Sequence, residues 1–202
     1  MILVDEKWKD IVIKGTSRSS VSFMLEMESY KQRENFRRGV SWHIPNTDII
    51  ETLKSISPVV SVGSGFGYTE SIALKEGVDI ISTDINPNMD NHWCRGGIFF
   101  GDVQKIDAID AIKKYADRNV FMAWPAYNNS MAADVAENMK SGTYLLYVGE
   151  SEGGCTGDER FFHILENDFV LIEENFIPRW EGIRDTATLY KKITKNKKYL
   201  NI

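Results

Sequence analysis

Val59-Val60-Ser61-Val62-Gly63-Ser64-Gly65-Phe66-Gly67 is the stretch that decides the architecture. A β-branched apolar run enters three alternating glycines. Tyr68-Thr69-Glu70 then opens a helical pattern with Ile72 and Ala73 inward and Gly77 as its stop. Strand, glycine turn and helix start together make the ligand-binding corner of an α/β sheet. Glycines suit that corner because they accept positive φ and, lacking Cβ, let another molecule approach the backbone. Val78–Thr83 repeats the apolar pattern and ends in Asp84. The spacing G-x-G-x-G differs from the dinucleotide pattern G-x-G-x-x-G, because Tyr68 stands where the last glycine would be.

On Val62–Gly67 and Asp84 the chain resembles class I S-adenosylmethionine (SAM) dependent methyltransferases. The resemblance implies a Rossmann-like α/β fold, a mostly parallel seven-stranded sheet whose last strand is antiparallel. It implies SAM as cofactor. Gly63, Gly65 and Gly67, with Phe66 among them, would approach SAM, and Asp84, with Ile85 beside it, would hold the ribose. Ser61 is a departure, since that family usually carries Asp or Glu there to serve the methionine ammonium group. The bland alternative is a glycine turn that serves only strand–helix packing.

Further along, Ile98–Phe100 reads as a third strand with Gly101-Asp102-Val103 at its tip. The resemblance would set Asp102 and Val103 beside adenine; a cap or turn role fits Asp102 as well. Asn119–Ala123 reads as the fourth strand and runs into Trp124-Pro125-Ala126-Tyr127. Methyltransferases acting on amino groups carry Asn/Asp-Pro-Pro-Tyr at this place. The likeness assigns Pro125 to the cofactor side and Trp124 and Tyr127 to the acceptor pocket. An indole N–H only donates, so Trp124 cannot hold an amine as an amide oxygen does. Packing aromatics at a strand end are the plain alternative. Glu150, in the glycine-rich loop 149–157, is the general-base candidate. Cys155 has no histidine beside it in sequence and reads as incidental.

The remaining elements follow from periodicity and punctuation. Asp10–Lys14 reads as a short strand and Ser20–Tyr30 as a helix. Asn46, Thr47 or Asp48 caps a helix with Ile49, Ile50 and Leu53 inward. Ile106, Ile109 and Ile112 space another, and Ser130 caps a third. Thr143–Val148 is the fifth strand, and Thr156 with Glu159 forms a capping box. Phe169–Ile177 and Asp185–Ile193 form a closing hairpin. Trp42 reads as core or pocket wall, and Trp93 as a loop anchor. Arg95, the cations of Tyr30–Arg38 and the basic tail of Lys191, Lys192, Lys195, Lys197 and Lys198 read as solvated or anion-facing. Residues 1–45 form a helical segment or lid, and 46–202 the SAM-binding domain. From about Trp42 to Ile193 the chain also resembles a group of microbial proteins of methyltransferase-like fold, a likeness that implies no substrate.

Composition bounds these readings. With 202 residues and 43% hydrophobic content the chain can bury one ordinary core. A net charge of −5 argues against a generally basic nucleic-acid surface, although a nucleic-acid acceptor stays open. Cys94 and Cys155 make no disulfide framework, and His92 with Cys94 lacks a second pair, so no zinc site is expected. Without an apolar run of about 18 residues no membrane helix is expected, and the cytoplasm is the default location. The methyl acceptor and the oligomeric state stay open. So does catalysis itself, since a non-catalytic SAM or nucleotide binder fits the same motifs.

Overall fold

The computed structural model describes residues 1–16, 23–87 and 99–193. One sheet holds β1 (Val59–Val62), β2 (Ile80–Asp84), β3 (Val103–Lys105), β4 (Asn119–Ala123), β5 (Tyr144–Gly149), β6 (Phe169–Phe176) and β7 (Thr186–Lys192). Its order is β3-β2-β1-β4-β5-β7-β6. β3, β2, β1, β4 and β5 pair in parallel, and β7 runs antiparallel to both β5 and β6. This is the expected Rossmann-like sheet of methyltransferase type.

Side-chain alternation assigns the layers. Val60, Val62, Val120, Met122, Leu145 and Tyr147 enter a core with α5 (Ala108–Lys114), α6 (Met131–Asn138) and α7 (Glu159–Asp168). Val59, Phe121, Leu146 and Val148 enter a second core with α3 (Thr47–Ser55) and α4 (Tyr68–Lys75). Covering both faces explains why β1 is apolar at nearly every position rather than alternating. Each fully buried Val, Leu or Ile contributes roughly 1.5–3 kcal/mol.

A third core joins α1 (Glu6–Thr16) and α2 (Phe23–Gly39) to the body through Val12, Phe36, Val40, Ile44, Tyr68 and Trp180. Phe36 lies 5.8 Å from the Trp8 ring and 5.3 Å from the Trp180 ring. The chain start is tied down by Leu3 N–H donating to the Pro45 carbonyl at 2.8 Å.

Several local expectations are corrected. Asp10–Lys14 lies inside α1, because Trp8, Ile11 and Val12 recur at helical spacing and Ile13 faces solvent. The third strand is Val103–Lys105, since Val103 pairs with Ser82 and Lys105 with Asp84; Phe99 and Phe100 precede it. Asp102 therefore stands at the strand's start, not its tip. Asp158, not Thr156, caps α7 by accepting from Phe161 N–H at 2.8 Å. Ser130 makes no cap bond, and Asn129 Oδ1 takes the Met131 N–H instead. Asn46 is the cap of α3. Lys191 and Lys192 close β7, and Lys192 is buried rather than solvated, its Nζ donating to the Ala136 carbonyl at 2.6 Å. Residues 20–22, Trp93, Arg95, His92 with Cys94, Ile98 and the lysines 195, 197 and 198 lie outside the described residues. Among the described residues no helix is long and apolar enough to cross a membrane.

Candidate functional site

A cavity of about 840 Å³ opens at the C-terminal ends of β1, β2 and β4. The strand order reverses between β1 and β4, and parallel sheets leave their ligand crevice at such a switch point. Gly63 and Gly65 line it in left-handed backbone, at φ 65° and 55°. Phe66, Asp84, Ile85, Trp124, Pro125 and Tyr127 line it too.

Asp84 ends β2 and is almost fully buried. Its Oδ2 accepts from Gly65 N–H at 3.1 Å and its Oδ1 from Asn86 N–H at 2.9 Å. Burial raises its pKa, and these two backbone bonds pull it back down.

Ser61 does not line the cavity, because its hydroxyl points to α4 and donates to Glu70 Oε1 at 2.6 Å. Ser64 in turn donates to Ser61 Oγ at 3.0 Å. Glu70 does line the cavity, and burial pushes its pKa up to about 7 against the opposing Ser61 bond. A carboxyl therefore stands beside the end of β1 after all, supplied by the first turn of α4. Glu70 follows Gly67, the helix N-cap, by three residues, and its side chain reaches back across the turn to Ser61.

Gly67 and Val103 meet each other rather than the cavity. Gly67 has φ 70°, and a Cβ there would lie 2.9 Å from Val103 Cγ2. The third glycine thus serves close packing of α4 on β3. Asp102 is exposed and absent from the cavity wall. Asp107, two residues beyond β3, lines the wall, and its Oδ1 accepts from Ile109 N–H at 2.9 Å. The misplaced strand hid it from sequence reading.

On the β4 side Trp124 adopts φ 51° and stacks on Trp42, ring centroids 5.2 Å apart. Its indole N–H donates to Asp185 Oδ2 at 3.0 Å. Asp185 is fully buried, its Oδ1 lacks a hydrogen-bond partner, and burial pushes its pKa up to about 7. Tyr127 stays 68% exposed, so its ring is free to meet a ligand.

Glu150 is not placed as a base. Its Oε2 accepts from Cys155 N–H at 2.8 Å and its Oε1 from Arg184 N–H at 2.9 Å, so it fastens the glycine-rich loop to the segment entering β7. His43 lines the cavity between Ser41 Oγ at 3.1 Å and Thr69 Oγ1 at 2.8 Å, and burial lowers its pKa to about 4. Among the described residues no group of three or more His, Cys, Asp or Glu is placed to hold a metal ion.

No protein-family model matches the chain, and neither does any curated protein. Solved structures do. Magnesium protoporphyrin IX methyltransferase from Synechocystis, solved with bound SAM, has a TM-score of 0.51 at 11% identity over 91% of this chain and 90% of that one. A SAM-dependent methyltransferase from Methanosarcina mazei has a TM-score of 0.49 at 12% identity, over 75% of this chain and 100% of that one. At this identity the first likeness shows a methyltransferase-type fold.

Proposed function

We propose that the chain is a SAM-dependent methyltransferase. The carrying observation is one cavity at the switch point, with glycines in left-handed backbone and carboxyls beyond three adjacent strands, Glu70 after β1, Asp84 on β2 and Asp107 after β3. The cavity fits the group: no Cβ stands at Gly63 or Gly65, and acceptor oxygens face a ligand that brings hydroxyls, an amine and an ammonium.

When bound, SAM supplies a methyl group already activated by its sulfonium. The chain then has to bind, align and exclude water. Glu70, in place of the acid absent at Ser61, takes the ammonium. Asp84 takes the ribose hydroxyls, with Ile85 beside the ring system. Asp107 replaces Asp102 at the adenine end. Trp124, Pro125 and Tyr127 shape the acceptor side, and Arg33 of α2 and Trp42 of the segment after α2 flank Trp124 there.

Calorimetric titration tests this: SAM and S-adenosylhomocysteine (SAH) should bind and NAD should not. A second reading is a non-catalytic SAM binder. It is favoured by the Glu150 carboxyl being committed to internal partners, so that it takes no acceptor's proton. SAH binding without transfer to any amine, hydroxyl, thiol or carboxylate would select it. A nucleic-acid acceptor would show steep salt dependence of RNA or DNA binding.

A further inference from the structure

The charges of the cavity wall are sorted across the sheet. Glu70, Asp84 and Asp107 stand beyond β1, β2 and β3. On the far side Asp134 is tied to Arg160 at 2.6 Å and to Ser130 at 2.8 Å. There the guanidinium of Arg33 enters from α2, its carbon 5.4 Å from the Trp124 ring centroid. Among the described residues Arg33 is the one Lys or Arg that lines the cavity.

Its neighbour Arg37 shows what a paired arginine looks like here. Glu34 accepts from Arg37 Nε at 3.0 Å and from Nη2 at 2.6 Å, while that guanidinium sits 4.4 Å from the Trp42 ring centroid. Arg33 forms no salt bridge among the described residues, and its Nε is buried without a hydrogen-bond partner. A buried donor left unpaired is costly. A guanidinium offers its donors as a rigid fork that fits a carboxylate or phosphate with two bonds at once.

We propose that the acceptor bears a carboxylate or phosphate, which Arg33 pairs beside the Trp42–Trp124 stack. The inference rests on the methyltransferase reading and adds a class of acceptor to it. Sorted charge has a physical consequence: a cationic cofactor is drawn to the carboxyl side and an anionic acceptor to the Arg33 side, so each ligand is disfavoured in the other's place. Opposite charges that meet in a partly enclosed site interact more strongly than at the surface.

The test uses the full chain saturated with SAH and follows quenching of tryptophan fluorescence. Benzoate and phenyl phosphate are titrated beside the neutral benzamide and phenol. The expected result is that at least one anion binds about tenfold or more tighter than its neutral counterpart. Arg33→Gln should erase that preference while SAH affinity is kept, and Arg33→Lys should restore part of it. A stronger benzoate arm assigns the carboxylate, and a stronger phenyl phosphate arm assigns the phosphate. Equal binding of neutral and anionic probes overturns the inference. So does a preference that survives Arg33→Gln, or the absence of anion binding up to about 10 mM. SAH failing to bind the unaltered chain would instead remove the parent reading.

Discussion

Burial raises the pKa of the Glu70 carboxyl to about 7, and an arriving ammonium favours its ionised form. Its pKa of about 7 gives the sign: below it the carboxyl is neutral and pairs weakly, above it the pair is complete. SAH affinity should therefore rise with pH through about 7 in the unaltered chain. Glu70→Gln should flatten that rise and weaken SAH by about 1.5–3 kcal/mol, as expected for a bond to a charged group. Methylthioadenosine, which lacks the ammonium, should bind both proteins alike. Equal losses for the two ligands would assign Glu70 to packing. Ser61 was readable as a departure from an acidic position, but its compensation was not, because the replacing carboxyl comes from nine residues further on, across a turn. Glu150 misled for the opposite reason: an acid in a glycine-rich loop reads as free, whereas two backbone N–H groups hold it.

At the scale of elements, Gly67 joins α4 to β3. A Cβ there meets Val103 Cγ2 at 2.9 Å in a backbone of φ 70°. Gly67→Ala should lower stability by more than the roughly 1 kcal/mol that left-handed backbone alone costs a side chain. Combining it with Val103→Ala should return part of the loss, since the two share one contact. Strict additivity in urea titrations would remove that contact from the account. β1, β2, β4 and the closing hairpin were legible because apolar runs of strand length end at glycine, proline or a charged residue. β3 was not. It is three residues long, and its pairing to Ser82–Asp84 rather than its own pattern makes it a strand. α1 was misread because Ile11 and Ile13 alternate like a strand, while Trp8 supplies the helical period.

Over the whole molecule, four buried titratable groups shape the pH response, Asp84 being raised by burial in the same sense as Glu70 and Asp185. Glu70 and Asp185 each have folded pKa values raised to about 7, chiefly by burial. Their contribution is fully present below their unfolded values and is lost as pH rises through about 7. His43, lowered to about 4 by burial, contributes stability above its unfolded value and loses it as pH falls through about 4. Urea titrations across pH should show stability declining between about 4.5 and 7, and Asp185→Asn should remove part of that decline. An unchanged slope would mean that Asp185 does not titrate in that window.

The sheet order, the switch point and the carboxyls beyond β1, β2 and β3 converge on one cavity, and the central claim is that this cavity holds SAM through Asp84 and its neighbours. Calorimetry of the unaltered chain and of Asp84→Ala with SAH and NAD tests it most directly. The account predicts SAH binding, no NAD binding, and a loss of about 1.5–3 kcal/mol for SAH in folded Asp84→Ala. NAD binding without SAH binding, or full SAH affinity in folded Asp84→Ala, would contradict it.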